Sequence, residues 1–225
     1  MPEYKAVDCH AHFYTPNYTA DDITSHIASK IQLNNDNDGE ISLLAVIVTP
    51  ETHQEALEVV GQGKLHPLLK PCVGLHPVQH VMNTAGEKVS ISARPSSQLD
   101  QVLALIEEKG DEVVAVGEIG LDFSPWILET SAKMWDCSVD EVKHLQRQVF
   151  IAQVELAKKL DLAVNVHSRN AGHHAIGVLE ERGMLARSLL HAFDGAPKHA
   201  VRAAQLGAMF SVPGSIARDA SCKKL

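Results

Sequence analysis

Short apolar, β-branched runs alternate with longer amphipathic stretches along the whole of this sequence. The runs fall at 6–13, 41–49, 70–76, 113–121, 163–167, 188–192 and 208–212. Leu43-Leu44-Ala45-Val46-Ile47-Val48 is apolar without interruption, as expected of a strand covered on both faces of a parallel sheet. Helical spacing occupies 21–33, 51–63, 97–110, 138–160, 173–183 and 197–206. The pattern is clearest over 138–160, where Ser138 and Glu141 have capping-box spacing and Val142, Leu145, Val149, Ala152, Leu156 and Leu160 form an apolar stripe. Gly207 stands where a left-handed residue would end the 197–206 helix. The segments 34–40 and 83–96 read as polar insertions.

Alternating strands and helices imply right-handed βαβ units and a parallel sheet. A single domain over 1–225 suffices, and the expected fold is an α/β, TIM-type (β/α) barrel. Seven strands can be counted, whereas a closed barrel of this type has eight, so the eighth is expected to be missing.

Composition narrows the class without choosing a function. With 45% hydrophobic and 21% charged residues, the chain is ordinary globular material. It has no run long enough to span a bilayer, and the expectation is a cytoplasmic or nuclear monomer. The four cysteines are scattered, which argues against a disulfide framework or a zinc ribbon. A formal charge of −8 excludes broad nucleic-acid binding through a basic face, yet leaves room for a nuclease whose positive charge comes from metal ions. Phosphate-binding glycine loops and a Ser-His-Asp arrangement are not recognisable.

Candidate chemistry gathers at the ends of strands. In Val7-Asp8-Cys9-His10-Ala11-His12, two histidines share one face of a strand and can hold one divalent ion. Glu118 follows Val113-Val114-Ala115-Val116-Gly117, and a carboxylate buried at a strand end wants a cation beside it. His167 and His191 each close an apolar run. A lone His-x-His says little, but four such groups at one end of four strands mark the mouth of a barrel. His76, after Gly74-Leu75, suits a donor to a substrate oxygen, and Arg169 suits a phosphate, or equally an ion pair with a loop carboxylate. Asp122 is placed to orient a ligand, and Asp194 to shape a turn.

These segments together resemble the TatD family of metal-dependent deoxyribonucleases. The resemblance rests on Val7-Asp8-Cys9-His10-Ala11-His12, Gly74-Leu75-His76-Pro77, Gly117-Glu118-Ile119-Gly120-Leu121-Asp122, Val164-Asn165-Val166-His167-Ser168-Arg169 and Leu190-His191-Ala192-Phe193-Asp194-Gly195. Gly120-Leu121-Asp122-Phe123-Ser124-Pro125 looks closest to an animal branch of that family. The resemblance implies two divalent ions (zinc, manganese or magnesium). It places His10 and His12 on one, a bridging Glu118 on both, His167 and His191 on the second, and His76 and Arg169 at the phosphate. The implied activity is 3′–5′ exonuclease-like hydrolysis of single-stranded or end-accessible DNA. Family members carry a further metal-binding aspartate on an eighth strand. Asp219, in Ala217-Arg218-Asp219-Ala220, does not match its context, so a truncated and weakly active chain is the expectation. Two alternatives stay open: a hydrolase of small amides or esters on the same barrel, and an inactive remnant.

Overall fold

The computed structural model describes residues 6–12, 21–22, 25, 43–48, 53–64 and 69–211. Most of the helix expected over 21–33, the 34–40 segment, His26, His66, Asp219 and Cys222 lie outside the described residues. The strands are β1 (Ala6–Ala11), β2 (Leu43–Val48), β3 (Leu69–Val73), β4 (Val78–Met82), β5 (Lys88–Ser92), β6 (Ala115–Asp122), β7 (Ala163–Arg169), β8 (Ser188–His191) and β9 (Met209–Phe210). The helices are α1 (His53–Gln62), α2 (Ser97–Glu108), α3 (Pro125–Trp135), α4 (Val139–Lys159), α5 (Gly172–Glu181) and α6 (Pro197–Gln205).

Seven strands form one parallel sheet in the order β1-β2-β3-β6-β7-β8-β9. Each sheet neighbour follows in sequence once the β4–β5 hairpin is set aside, as consecutive βαβ units require. Among the described residues no pairing joins β9 back to β1, so closure into a barrel is not seen there. The apolar runs explain the strands: all eight residues of β6 are buried, and Val164 to Val166 of β7 are buried as well.

Two expectations are corrected and one helix is added. The 83–96 segment is not a plain loop, because β4 and β5 pair antiparallel across it. The Asn83 side chain makes the turn by accepting from the Ala85 and Glu87 N–H groups, each at 2.9 Å. Helix α3 follows directly on β6, with Pro125 in its first turn, where a missing N–H costs nothing. Glu118 does not end its strand; β6 runs on to Asp122.

Helix α4 begins as its capping box predicts, Ser138 Oγ accepting from the Glu141 N–H at 3.1 Å. Its buried face is another matter. Val142, Gln146, Val149, Phe150, Gln153, Val154 and Ala157 are buried, while Leu145, Ala152, Leu156 and Leu160 only flank the core. Gln146 and Gln153 take the buried places expected of Leu145 and Ala152 because the strand ends beneath the helix need polar partners. Gln146 Oε1 accepts from the Asp122 N–H at 2.8 Å, and its Nε2 donates to Ser92 Oγ and the Pro77 carbonyl. Gln153 clasps Leu75 by both its N–H (2.6 Å) and its carbonyl (3.1 Å). The helix thereby fixes the backbone beside Asp122 and His76.

Candidate metal centre

His10 and Glu118 both sit where a strand departs from regular pairing. The β1–β2 register shifts between Asp8 and Ala11, and the β6–β7 register shifts between Val116 and Ile119. An irregular step re-aims the side chains it carries. Here it turns an imidazole and a carboxylate toward one point. Glu118 is 5% exposed, and its Oε2 lies 3.3 Å from His10 Nε2 and 3.8 Å from His76 Nε2. Its Oε1 meets His167 Nδ1 at 2.9 Å. Two sets of potential ligand atoms result, His10–His12–Glu118 and His76–Glu118–His167, each with its atoms within 4.8 Å of one another. Glu118 belongs to both.

His191 arrives by a different route. It pairs in register with His167 across β7 and β8, and its ring stacks on that of His10 at 3.4 Å between centroids. Ser211 Oγ lies 3.2 Å from its Nδ1 and also accepts from the Ala192 N–H at 3.1 Å. Asp122 takes the orienting position, with Oδ2 3.0 Å from His167 Nε2 and Oδ1 accepting from the Ser124 N–H. Arg169 is exposed at the end of β7 and makes no ion pair among the described residues. Asp194 is exposed and joins the segments after β8 and β7, its Oδ2 accepting from the Asn170 N–H at 3.3 Å. His80, His144, His173 and His174 are exposed and His199 is half-buried, apart from the cluster.

One residue was not expected. Asn165, 3% exposed, donates from Nδ2 to the Cys9 carbonyl at 2.8 Å and turns Oδ1 to His10 Nδ1 at 3.2 Å. A carbonyl can only accept, so the amide orientation is fixed by Cys9 and Oδ1 must face the ring. The proton of His10 therefore sits on Nδ1, and Nε2 keeps its lone pair for the centre.

Charge in the centre follows from burial and contact. Burial pushes Glu118 up, but the His10 and His167 imidazoles beside it outweigh burial and hold the carboxyl well below its usual range. For His167 burial works downward, yet bonds to Asp122 and Glu118 raise it to about 9. Burial brings His76 down to about 4 against the pull of Glu118, and burial with the neighbouring His10 brings His191 to about 4. His76 and His191 are thus neutral near pH 7, whereas His167 carries a proton between two carboxylates. His76 Nδ1 meets both the N–H and the carbonyl of Val78, at 3.1 and 3.0 Å. The first bond leaves a proton on Nε2 and makes a donor; the second frees Nε2 as a ligand.

These values set the pH dependence of the metal-free protein. Between about 4 and 6.5 the unfolded chain binds protons that folded His76 and His191 refuse, so stability rises with pH. Glu118, held low, adds to the loss on the acid side. Above 6.5 the folded chain keeps the His167 proton that the unfolded chain releases, so stability falls as pH climbs to about 9. The expected maximum is near pH 6.5. Urea midpoints at pH 4, 6.5 and 9 check this, and a steady climb to pH 9 would deny His167 its proton.

A parallel β/α sheet with histidines and carboxylates that could hold a metal ion gathered around the carboxyl ends of its strands has the layout of the barrel hydrolases. The particular family follows from comparison: the TatD related DNase family matches residues 7–224, and the chain belongs to it. The human protein named deoxyribonuclease TATDN3 is 37% identical over 221 residues, covering 97% of this chain and 72% of its own length. An Escherichia coli protein named as an uncharacterized metal-dependent hydrolase, YjjV, is 28% identical over 212 residues, 93% of this chain and 68% of the relative. The crystal structure of the E. coli TatD homologue YjjV superposes with a TM-score of 0.68 at 23% identity, covering 97% of this chain and 72% of that one, which shows the shared fold. No helix among the described residues is long and apolar enough to cross a membrane.

Proposed function

We propose that the chain, as one domain over 1–225, hydrolyses phosphodiester bonds of DNA with two divalent metal ions. The observation that carries this reading is the shared carboxylate, since Glu118 stands in both groups of ligand atoms as a bridging ligand must. The donor chemistry fits a cation as well. His10 Nε2 and His12 Nε2 lie 3.0 Å apart, so the two nitrogens can share one proton or one metal but cannot both be protonated there.

In this reading His10 and His12 would hold one ion, Glu118 would serve both, and His167 with His191 would complete the second, although the group of atoms found around Glu118 and His167 has His76 in the place given to His191. Bound there, the ions would polarise a phosphoryl oxygen and lower the pKa of a water molecule. The chain's own residues do the rest. Asn165 keeps the His10 lone pair turned inward, Asp122 fixes the His167 ring, and Glu118 stays anionic. His76 remains neutral and can donate its Nε2 proton to a phosphate oxygen. Arg169 presents a planar fork at the rim, suited to a phosphate. A nitrogen-rich donor set suits Zn²⁺ or Mn²⁺ better than Mg²⁺.

DNA as the substrate is supported by the name of the human relative and by family membership. With a formal charge of −8, a single-stranded or end-accessible substrate fits better than a long duplex. The test is digestion of an end-labelled single-stranded oligonucleotide by metal-stripped protein reloaded with zinc, manganese or magnesium. His10→Ala is expected to lose at least about 100-fold in rate, together with one equivalent of metal. Digestion at the parent rate by that variant removes the site assignment. Hydrolysis of small amides or esters with none of DNA removes the substrate.

A further inference from the structure

A concavity opens at residues that directly follow Asp122 and Arg169 in the chain. It has a volume of about 370 Å³ and is lined by Phe123, Leu128, Glu129, Lys143, Asn170 and His174, among others. Its position is set by the site itself. Phe123 follows Asp122, which holds His167, and the Phe123 N–H donates to the Arg169 carbonyl at 2.9 Å. The Phe123 backbone is therefore tied to the end of β7, between two residues assigned to the chemistry.

The lining has the makings of a nucleotide site. The Lys143 ammonium lies 5.8 Å from the centre of the Phe123 ring, and the His174 ring lies 5.2 Å from it. The ammonium stands over the ring face at the end of a flexible side chain, so a base can take that face as Lys143 swings out to its phosphate, and stacking tolerates any base because each has a π-face. The volume falls within the range of pockets that enclose small organic ligands. Lys143 is paired with Asp140 at 3.3 Å, but that pair is solvent-exposed and is exchanged for a phosphate at little cost. Glu129 repels a phosphate and thereby leaves the Lys143 side for it, while its carboxylate and the Asn170 and His174 side chains offer partners to the edge of a base.

We propose that this pocket is a nucleotide subsite, holding a nucleotide next to the scissile bond with its base on Phe123 and its phosphate on Lys143. The assignment rests on the phosphodiesterase reading above, and it deepens that reading by naming where the strand is gripped. Two measurements separate the fates of the two readings. The first is binding of fluorescein-labelled oligothymidylate to the full chain in EDTA, where no turnover occurs. Phe123→Leu and Lys143→Gln are each expected to weaken it about 5–20-fold, and Lys143→Gln to flatten its dependence on salt. The second is the ratio of kcat/KM on the oligonucleotide to kcat/KM on bis(p-nitrophenyl) phosphate, which carries no neighbouring nucleotide. That ratio is expected to fall by the same factor in both variants. Unchanged binding in both variants, or an unchanged ratio, overturns the subsite. Intact binding with no hydrolysis of either substrate by the metal-loaded parent overturns the phosphodiesterase reading and leaves the subsite standing.

Discussion

Glu118→Gln is expected to reduce hydrolysis on the order of a thousandfold or more, and to cost the protein at least one equivalent of bound metal. The side chain keeps its size and the strand is buried along its length, so the fold should persist. What changes is charge at the point where both ligand groups meet. An amide is a poor bridge between two cations, and it removes the anion that His10, His76 and His167 face at 3.3, 3.8 and 2.9 Å. His167 should then lose a large part of the upward shift that Glu118 and Asp122 impose together. Metal content after dialysis, circular dichroism and the oligonucleotide assay check the three parts of this expectation. A folded variant that keeps its full metal load and more than about a tenth of the rate would remove Glu118 from the centre.

Gly120→Ala should be the most damaging single methyl group in the described part of the chain. Gly120 has φ +143°, and a Cβ there would lie 2.0 Å from the His167 carbonyl oxygen. Both atoms belong to paired backbone, because Gly120 and His167 are register partners across β6 and β7. Neither can yield by turning a side chain. The combination of a forbidden dihedral and a backbone collision should cost about 3–5 kcal/mol, or prevent folding. Urea unfolding of the metal-free protein measures it. A loss below about 1 kcal/mol would mean that the seam between the two strands is far more pliable than its pairing suggests.

The sequence was most legible where one physical period dominates. Short apolar, β-branched runs located all seven strands of the parallel sheet, and helical spacing located α1, α2, α4, α5 and α6 within a few residues. The β4–β5 hairpin was obscured by its polar tip, although Val89-Ser90-Ile91-Ser92 alternates as a half-buried strand should. Helix α3 carried its own start signal in Ser124-Pro125, masked by a turn-like context. The buried glutamines of α4 were invisible to an apolar count, since what places them is the hydrogen-bonding need of another element. In the site, His10, His12, Glu118, His76 and His167 converge as strand-end logic anticipates. Stacking of His191 on His10 and the service of Ser211 depend on the relative placement of strands, which no local pattern encodes. Asn165 looked like one polar residue between two valines. Only the fold reveals that its partner is 155 positions away in the chain.

That last contact spans strands that are not neighbours: three others, β2, β3 and β6, separate β1 from β7 in the sheet. The amide of Asn165 is thus a tie-rod across the concave side, fastening an edge strand to the centre of the sheet by its Cys9 carbonyl and its His10 ring. Docking of that edge and readiness of the His10 lone pair become one event rather than two. By linkage, whatever ion His10 accepts must also tighten β1 against the sheet, and by an amount that grows with the logarithm of ion concentration. Hydrogen exchange along β1 should therefore slow as metal is titrated in, making the periphery of the sheet a gauge of occupancy at its centre.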